Sequence, residues 1–371
     1  MQVAVQKTSK PRTKTKPDYF VGIDLHKKFM QVAIMDEDGE IVEEKKIDCD
    51  HKTVTREFTR LPENCRYVIE SSSVWYGMYR LLSDKLKLDI VLSNPYKTRI
   101  IAESKKKTDK VDARILADLL RGGYISECYI PAEDVVQKRQ LVKFRACMAK
   151  EATRFKNLIH GILLQEGIAI KEQSFSTKYR KELRKLKNWR IDAHLGSLAY
   201  MESNIADANY KIRQQLIQDK NAQLLNTIPG IGEYTALTLS SMIDDIERFR
   251  DAQHLTSYFG LVPSVRRSAS TVHHGKITKM GQSLVRQLLT ECAIIHVAVA
   301  IRKESDTPIS VFYKRVAENR GGAKAKVAAA AKMVTIIYWI LKKNIDYETC
   351  VAEGRKNTAR QPRKKSLGNN G

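Results

Sequence analysis

The sequence lacks the patterns of zinc-binding, disulfide-stabilised and membrane-spanning proteins. Its six cysteines are scattered, with no CxxC pair and no Cys/His grouping at the spacing of zinc ligands. It contains no run of about 18 apolar residues, and its first residues have no apolar stretch of a signal peptide. We therefore expect a cytosolic protein with reduced thiols and no membrane anchor.

Acidic residues are also in short supply. Asp and Glu number 42 against 65 Lys and Arg, which gives a formal net charge of +23. Such an excess on a soluble chain indicates a polyanionic partner, and nucleic acid is the main one. Structural proteins of the ribosomal type are equally basic, so charge alone predicts nucleic-acid binding and not catalysis. With 43% apolar residues in 371, the chain has enough material for two or three domains.

Both ends of the chain are basic and have little to bury. Residues 1–17 contain five Lys or Arg and two Pro, and the segment 346–371 has a similar basic character. This composition predicts a disordered basic arm and a flexible basic tail. Either end can contact phosphate or simply remain solvated.

The pattern from residue 18 to 130 is that of a mixed α/β domain. Three short apolar segments predict an antiparallel meander, because a turn of the type Asp-Glu-Asp-Gly separates the second from the third. Alternating strands and helices follow, and this is the element order of the ribonuclease-H (RuvC-like) fold. The predicted strands are 19–24, 30–35, 41–47, 66–70 and 88–92, and the predicted helices are 75–85, 96–104 and 110–120.

The segment from residue 131 to 220 is predicted to be helical. Pro131 suits a first helical turn. One apolar stripe with steps of three and four predicts a long helix, and 191–217 predicts its partner. We expect a helical hairpin or coiled coil used for self-association; a plain bundle within one domain is the alternative. The stripe consists of Leu141, Phe144, Met148, Ala152, Phe155, Ile159 and Ile162.

Residues 221–345 predict a compact, mostly α-helical domain that ends with an alanine-rich helix at 323–342. Near its start, the run from Ile228 to Gly232 resembles a helix–hairpin–helix turn. Gly230 and Gly232 would let backbone N–H groups approach a phosphate, although an ordinary helix-breaking turn has the same composition.

Four carboxylates have the order expected of a metal site. Asp24 ends the first predicted strand and Glu70 ends the fourth, and these two strands are neighbours in a ribonuclease-H-type sheet. Asp109 and Asp112 are three residues apart and share one face of a helix. Four such groups repel one another unless cations neutralise them; hard oxygen donors suit Mg²⁺, typically two ions about 3.5–4 Å apart. Taken singly, each acid also fits a strand end, a helix cap or a surface ion pair.

A polar segment rich in Ser and Arg follows Phe259, and we interpret it as a loop between helices that contacts DNA. Arg266 and Arg267 lie in the loop, and further basic residues follow at Lys276, Lys279 and Arg286. A serine hydroxyl in this loop would act as a nucleophile only if cations stabilised its alkoxide.

Three motifs resemble the N-terminal domain of the DEDD-type insertion-sequence transposases, the family of bridge-RNA-guided serine recombinases. They are Gly-Ile-Asp-Leu-His-Lys at 22–27, Ile-Glu-Ser at 69–71 and Lys-Thr-Asp-Lys-Val-Asp-Ala at 107–113. The resemblance extends from about residue 18 to about 342. It implies that Asp24, Glu70, Asp109 and Asp112 bind Mg²⁺, or Mn²⁺.

The segment from Phe259 resembles the second conserved block of that family, a Gly-Leu-x-Pro turn with a serine five residues after the proline. That serine is Ser268, five residues after Pro263, and the resemblance implies that it attacks DNA to form a covalent phosphoserine. Ala269 stands where the family usually has Gly, so Ser270 is the alternative nucleophile.

The resemblance further implies a bacterial, nucleoid-associated transposase that acts on donor and target DNA. It implies a structured guide RNA encoded by the element, and a dimer or tetramer whose subunits share active sites. Two alternatives remain. A Holliday-junction or other structure-specific endonuclease would need the acids but no serine, and a non-catalytic scaffold would need neither.

Overall fold

The structure is a computed structural model of the chain, and it describes residues 16–101, 109–169, 175–268 and 271–360. The chain divides into two compact units, residues 1–130 and 131–371. The predicted basic arm lies almost wholly outside the described residues.

A five-stranded mixed sheet forms the first unit. The strands are β1 (Tyr19–Leu25), β2 (Phe29–Asp36), β3 (Ile41–Asp48), β4 (Cys65–Glu70) and β5 (Asp89–Ser93). Their order is β3-β2-β1-β4-β5; β1, β2 and β3 pair antiparallel, whereas β4 is parallel to both β1 and β5. The predicted meander followed by two further strands is therefore confirmed.

The turn between β2 and β3 follows from its sequence. One carboxylate oxygen of Asp36 accepts the backbone N–H groups of Asp38, Gly39 and Glu40 at 2.9–3.0 Å. Gly39 has a φ of +94°, a conformation that glycine adopts without strain. This turn sets the register that buries the apolar face of β2.

Four helices complete the first unit. They are α1 (His51–Phe58), α2 (Trp75–Arg80), which continues into a π-helical turn at Leu81–Lys85, α3 (Pro95–Ile101) and α4 (Asp109–Arg121). The last three correspond to the predicted helices; the predicted end of α3 at residue 104 lies outside the described residues. A large apolar cluster, which includes Ile23, Val32 and Leu82, forms the core. A smaller cluster packs α4 against the sheet through Phe20 and Leu116.

The second unit begins with helices α5 (Glu133–Gln165), α6 (Thr177–Lys185) and α7 (Trp189–Gln218). Helices α5 and α7 pack along one another, and both also contact α9 (Glu233–Ile243) of the same unit; a coiled coil used for self-association and a plain bundle within one domain both stay predictions. Two details of the prediction were wrong. Helix α5 begins at Glu133 after Ala132 as N-cap, so Pro131 precedes the helix, and Phe144 of the predicted stripe is 45% exposed.

The rest of the second unit is mostly helical. It contains α8 (Lys220–Asn226), α9 (Glu233–Ile243), a 3₁₀ turn at Ile246–Arg248, α10 (Ala252–Tyr258), α11 (Ser283–Arg302), α12 (Pro308–Arg320), α13 (Gly322–Lys343) and α14 (Tyr347–Arg360). A single large apolar cluster joins these helices, with α13 at its centre.

The structure differs from the sequence interpretation at two places in this unit. The segment interpreted as a loop forms an antiparallel hairpin of β6 (Pro263–Ser268) and β7 (Thr271–Ile277). Much of the segment interpreted as a flexible tail is helix α14, which is held in place because Tyr347 is buried in the apolar cluster. Residues 361–371 lie outside the described residues.

Helix α11 meets the length and composition of a membrane-spanning helix, and it is the one helix among the described residues that does. Its residues Val285, Leu289 and Ala293 are completely buried in the apolar cluster. The composition is therefore that of a core helix.

Candidate active site

Asp24 and Glu70 lie at the same end of two adjacent parallel strands. Ile23 pairs with Ile69, and Asp24 and Glu70 occupy the next position on each strand. Side chains alternate along a strand, so both acids are on the face that carries Gly22 and Val68. The Asp24 side chain is 19% exposed, and Glu70 is likewise half-buried. The predicted meeting of the first and fourth strands at one sheet end is therefore present.

Helix α4 approaches this end of the sheet because Gly22 has no side chain. A Cβ atom at Gly22 would lie 2.0 Å from the carbonyl oxygen of Ala113 and 2.6 Å from the backbone nitrogen of Ala117. Sequence reasoning used Gly22 only as part of a motif. In the structure, it allows the backbones of β1 and α4 to touch.

The direction of α4 brings its first turn toward Asp24. Phe20, early in β1, clusters with Leu116 and Leu120, late in α4, whereas Gly22 meets Ala113. Moving along β1 toward Asp24 therefore means moving back along α4 toward Asp112 and Asp109. Asp112 is half-buried. Asp109 begins the helix, but its side chain lies outside the described residues.

His26 is a neighbour of this site that sequence reasoning named only within a motif. Its Nε2 atom lies 3.0 Å from Oδ2 of Asp24, and its ring lies 4.8 Å from the ring of Phe29. The Phe29 ring also contacts Lys46, whose Nζ atom lies 4.0 Å from the ring centre. The only available signal was a histidine two residues after a strand-end acid.

The oxygen donors at this sheet end are of the kind that a hard divalent cation prefers. Among the described side chains, however, no three His, Cys, Asp or Glu form a group that can hold a metal ion. That set does not include the side chain of Asp109. The donor chemistry fits Mg²⁺, and the four-acid site stays a prediction.

Ser268 is the last residue of β6, and its backbone pairs with Thr271 of β7. Arg266 and Arg267 precede it and pair with His273 and Val272. The side chains of these residues and of Lys276 lie outside the described set, as does Ser270. What the structure adds is that the serine lies on a strand of an antiparallel pair, whose register shifts between Pro263 and Val265.

Close backbone packing fixes the base of this hairpin. Gly260 has a φ of +69°, and a Cβ atom there would lie 2.0 Å from the carbonyl oxygen of Met280. The N–H groups of Lys279 and Thr278 donate to the carbonyls of Gly260 and Val262 at 3.2 and 3.0 Å. Only a residue without a side chain fits at Gly260, so the two strands leave the helical unit from one point.

Two of the predicted DNA-binding residues have structural roles. One nitrogen of Arg286 donates to the carbonyls of Met280 and Gly281, both at 3.0 Å, which ties α11 to the hairpin base. Gly230, at a φ of +94°, packs against the backbone of α11, where a Cβ atom would lie 2.7 Å from the carbonyl of Cys292. Lys279 is exposed.

The turn that resembles a helix–hairpin–helix motif joins α8 to α9. In this turn Gly232 is exposed and forms the N-cap of α9. A Cβ atom placed on Gly232 would have no atom within 4 Å. The next residue, Glu233, forms an ion pair with Arg213 at 2.8 Å. Phosphate binding at this turn stays a prediction.

Two segments of the chain match known families of transposases. Residues 21–168 match the transposase family model DEDD_Tnp_IS110, and residues 222–308 match the transposase family model of IS116/IS110/IS902. The first range contains all four predicted acids, and the second contains the hairpin with Ser268.

Several relatives resemble the chain over most of its length. A putative transposase, y4qE, of Sinorhizobium fredii is 29% identical over 74% of this chain and 70% of its own length. The transposase for insertion sequence element IS1111A of Coxiella burnetii is 24% identical over 91% and 93%. A pilin gene-inverting protein of Moraxella lacunata is 27% identical over 77% and 83%. Both ranges of the chain therefore match domain models of the IS110/IS116 transposases, and the chain is an enzyme of the transposase class.

Proposed function

We propose that the protein is an insertion-sequence recombinase that cuts and rejoins DNA through a covalent link to Ser268. The observation that carries the proposal is the convergence of Asp24, Glu70 and the first turn of α4 at one end of a ribonuclease-H-like sheet. Asp24, Glu70, Asp109 and Asp112 would hold divalent ions there. When bound, Mg²⁺ neutralises charge that develops on a phosphodiester.

The proposed reaction consists of two balanced phosphoryl transfers. In the first, Oγ of Ser268 attacks the scissile phosphorus, a P–O ester bond of the DNA breaks, and the hydroxyl proton passes to the leaving oxygen. In the second, a hydroxyl of another DNA end attacks the phosphoserine, and Oγ regains a proton. One ester bond replaces another at each step, so no ATP is needed. Arg266 and Arg267 would stabilise the alkoxide.

Target choice in this proposal is directed by RNA. The resemblance to bridge-RNA-guided recombinases supports a structured RNA that pairs with donor and target DNA, while the protein binds backbone and shape. The net charge of +23 suits both nucleic acids. A dimer or tetramer would then combine the acids of one subunit with the serine of another.

A denaturing gel tests the chemistry directly. The full-length protein, its copurified RNA and end-labelled substrate DNA are incubated with Mg²⁺, and a slowly migrating protein–DNA adduct is expected. Ser268→Ala should abolish the adduct, and Asp24→Asn should abolish it as well. Ser257→Ala, an exposed serine of α10, is the matched serine control. Asp118→Asn, an exposed acid on α4 paired with Arg121, is the carboxylate control.

The other outcomes decide between the alternatives. If the adduct persists in Ser268→Ala and disappears in Ser270→Ala, the nucleophile is Ser270. Metal-dependent cleavage that is unchanged in both serine variants identifies a structure-specific endonuclease. Cleavage that survives Asp24→Asn and Glu70→Gln overturns the proposed acid site.

A further inference from the structure

A cleft between helices α13 and α14 has the composition of a ligand site and is not used by the proposed chemistry. Its volume is about 730 Å³, within the range of small-molecule pockets. Ile336, Val351 and Trp339 form part of its apolar lining. Lys332, Lys343 and Arg355 also line the cleft.

Trp339 is unusual for its position. Its neighbours on α13, Tyr338 and Ile340, are buried in the core, whereas Trp339 is 45% exposed. The edge of Tyr338 packs against it, with ring centres 5.3 Å apart at 83°, and Nζ of Lys343 lies 5.7 Å from its ring centre. These contacts hold the indole in place and leave much of its surface open. A fixed, open aromatic ring is a platform on which a planar group can stack.

The charges around the ring favour an anionic ligand. The lining contains three cations and no Asp or Glu. Lys343 is neutralised by Glu353 at 2.6 Å. Arg355 donates to the backbone carbonyl oxygen of Asp306 at 2.7 Å, and among the described residues no carboxylate forms an ion pair with it. Lys332 makes no ion pair or hydrogen bond within the part of the chain that the structure describes.

We infer that this cleft binds an unpaired nucleotide, with its base stacked on Trp339 and its phosphate held by Lys332 and Arg355. The inference rests on the proposed function for the presence of a nucleic-acid substrate. It adds a site, formed by α13 and α14, where one unstacked base of that substrate is held. The protein's own last residues are a poor occupant, since residues 361–371 carry Arg363, Lys364 and Lys365 and no acid. A second copy of so basic a chain is disfavoured for the same reason.

Fluorescence of Trp339 tests the inference without catalysis. The chain has three tryptophans, so Trp75→Phe with Trp189→Phe leaves Trp339 as the only reporter. This full-length variant is titrated with short oligothymidylate, without Mg²⁺. Stacking should quench the fluorescence in a saturable manner. An abasic strand with the same phosphates should leave it unquenched. Oligouridylate in a parallel titration shows whether RNA or DNA is the better source of the nucleotide.

Two variants test the role of each part of the cleft. Lys332→Ala in the reporter background should weaken the quench and lower the slope of log K against log salt by about 0.7, the loss expected for one phosphate contact of a single strand. Lys326→Ala, an exposed lysine on the same helix outside the cleft, should change neither. Trp339→Ala in the native background should weaken oligothymidylate binding, measured by anisotropy, about five-fold or more. Trp189→Ala, whose side chain is 78% exposed on α7, is its control.

Several results would overturn the inference. The absence of quenching, or equal quenching by the abasic strand, excludes stacking on Trp339. A fluorescence change that depends on protein concentration alone identifies a second copy as the occupant. A change on removal of residues 361–371, without nucleic acid, identifies the tail. Quenching without formation of a serine adduct contradicts only the proposed function, and an adduct without quenching contradicts only this site.

Discussion

Replacing Gly22 with alanine tests how helix α4 positions its acids. The added methyl would lie 2.0 Å from the Ala113 carbonyl oxygen, whereas real Cβ contacts are essentially never below 3.0 Å. The backbones of β1 and α4 must therefore separate by about 1 Å, since neither contact atom belongs to a flexible side chain. Overpacking of this kind costs about 1–3 kcal/mol of unfolding free energy. A 1 Å displacement of catalytic groups costs roughly 100-fold in rate.

The assays are urea unfolding followed by circular dichroism and the initial rate of protein–DNA adduct formation. Gly22→Ala should lower both the unfolding free energy and the rate. Gly77→Ala is the matched control, because Gly77 lies inside α2 and a Cβ there meets nothing within 4 Å; it should be neutral or slightly stabilising. If Gly22→Ala unfolds and reacts like the unmodified protein, the close approach of α4 to β1 is refuted.

Three further predictions concern buried or paired groups. Burial lowers the pKa of His296 below its ordinary value of 6.5, so the unfolded chain takes up a proton first and stability should fall as the pH drops below about 6.5; urea unfolding at pH 7.5 and 5.5 measures this. Lys138→Met removes the ion pair to buried Asp219, whose oxygen lies 2.9 Å from Nζ, and should lower the unfolding free energy by about 3–5 kcal/mol. His26→Ala removes the contact of 3.0 Å between Nε2 and Oδ2 of Asp24 and should weaken Mn²⁺ binding, measured by electron paramagnetic resonance, by about 10–100-fold.

Matched variants separate these effects from general disturbance. His296→Gln should flatten the pH dependence, whereas His254→Gln, at an exposed position of α10, should not; equal slopes in both would count against His296. Lys143→Met, at an exposed position of α5, should be nearly neutral, and a loss equal to that of Lys138→Met would contradict the role of the buried pair. Unchanged Mn²⁺ affinity in His26→Ala would show that Asp24 needs no orienting partner.

Burial explains why the neutral form of His296 is preferred, and a hydrogen-bond network surrounds its ring. Its Nδ1 atom lies 2.8 Å from the carbonyl oxygen of Pro229, and its Nε2 atom lies 3.0 Å from the hydroxyl of Thr307. The hydroxyl of Tyr347 lies 3.3 Å from the same nitrogen. The carbonyl contact favours the protonated ring, but burial outweighs it in lowering the pKa. This side chain therefore joins α11, α12 and α14 as a neutral hydrogen-bonding group.

The sheet and the long helices could be predicted because their signals are local. Short apolar segments and the Asp36–Gly39 turn predict the meander, and steps of three and four predict α5. The hairpin β6–β7 was missed because its Ser- and Arg-rich sequence lacks the apolar alternation that marks a strand. Helix α14 was missed because a few apolar residues, chiefly Tyr347, dock an otherwise basic segment onto the core.

The acids of the candidate site could be predicted from the sequence, whereas the packing contacts that position them could not. Asp24 and Glu70 are identified by their strand-end positions, and the parallel pairing of β1 and β4 then follows from the fold. The contact partners of Gly22 and Gly260 are distant in sequence, so no local pattern indicates them. Gly230, a motif glycine predicted to contact phosphate, is a point where two backbones touch, and its sequence neighbours do not indicate that role.

The clamp at Gly260 and Met280 has a consequence for how such enzymes can diversify. The two strands of the hairpin begin and end at this one backbone contact. A change in the length or sequence of the hairpin would therefore leave the packing of the helices unchanged. Natural variation or laboratory grafting could exchange the whole projection as a unit, in the way that loops are exchanged on an antibody framework. The helical unit would then act as a constant framework for interchangeable hairpins.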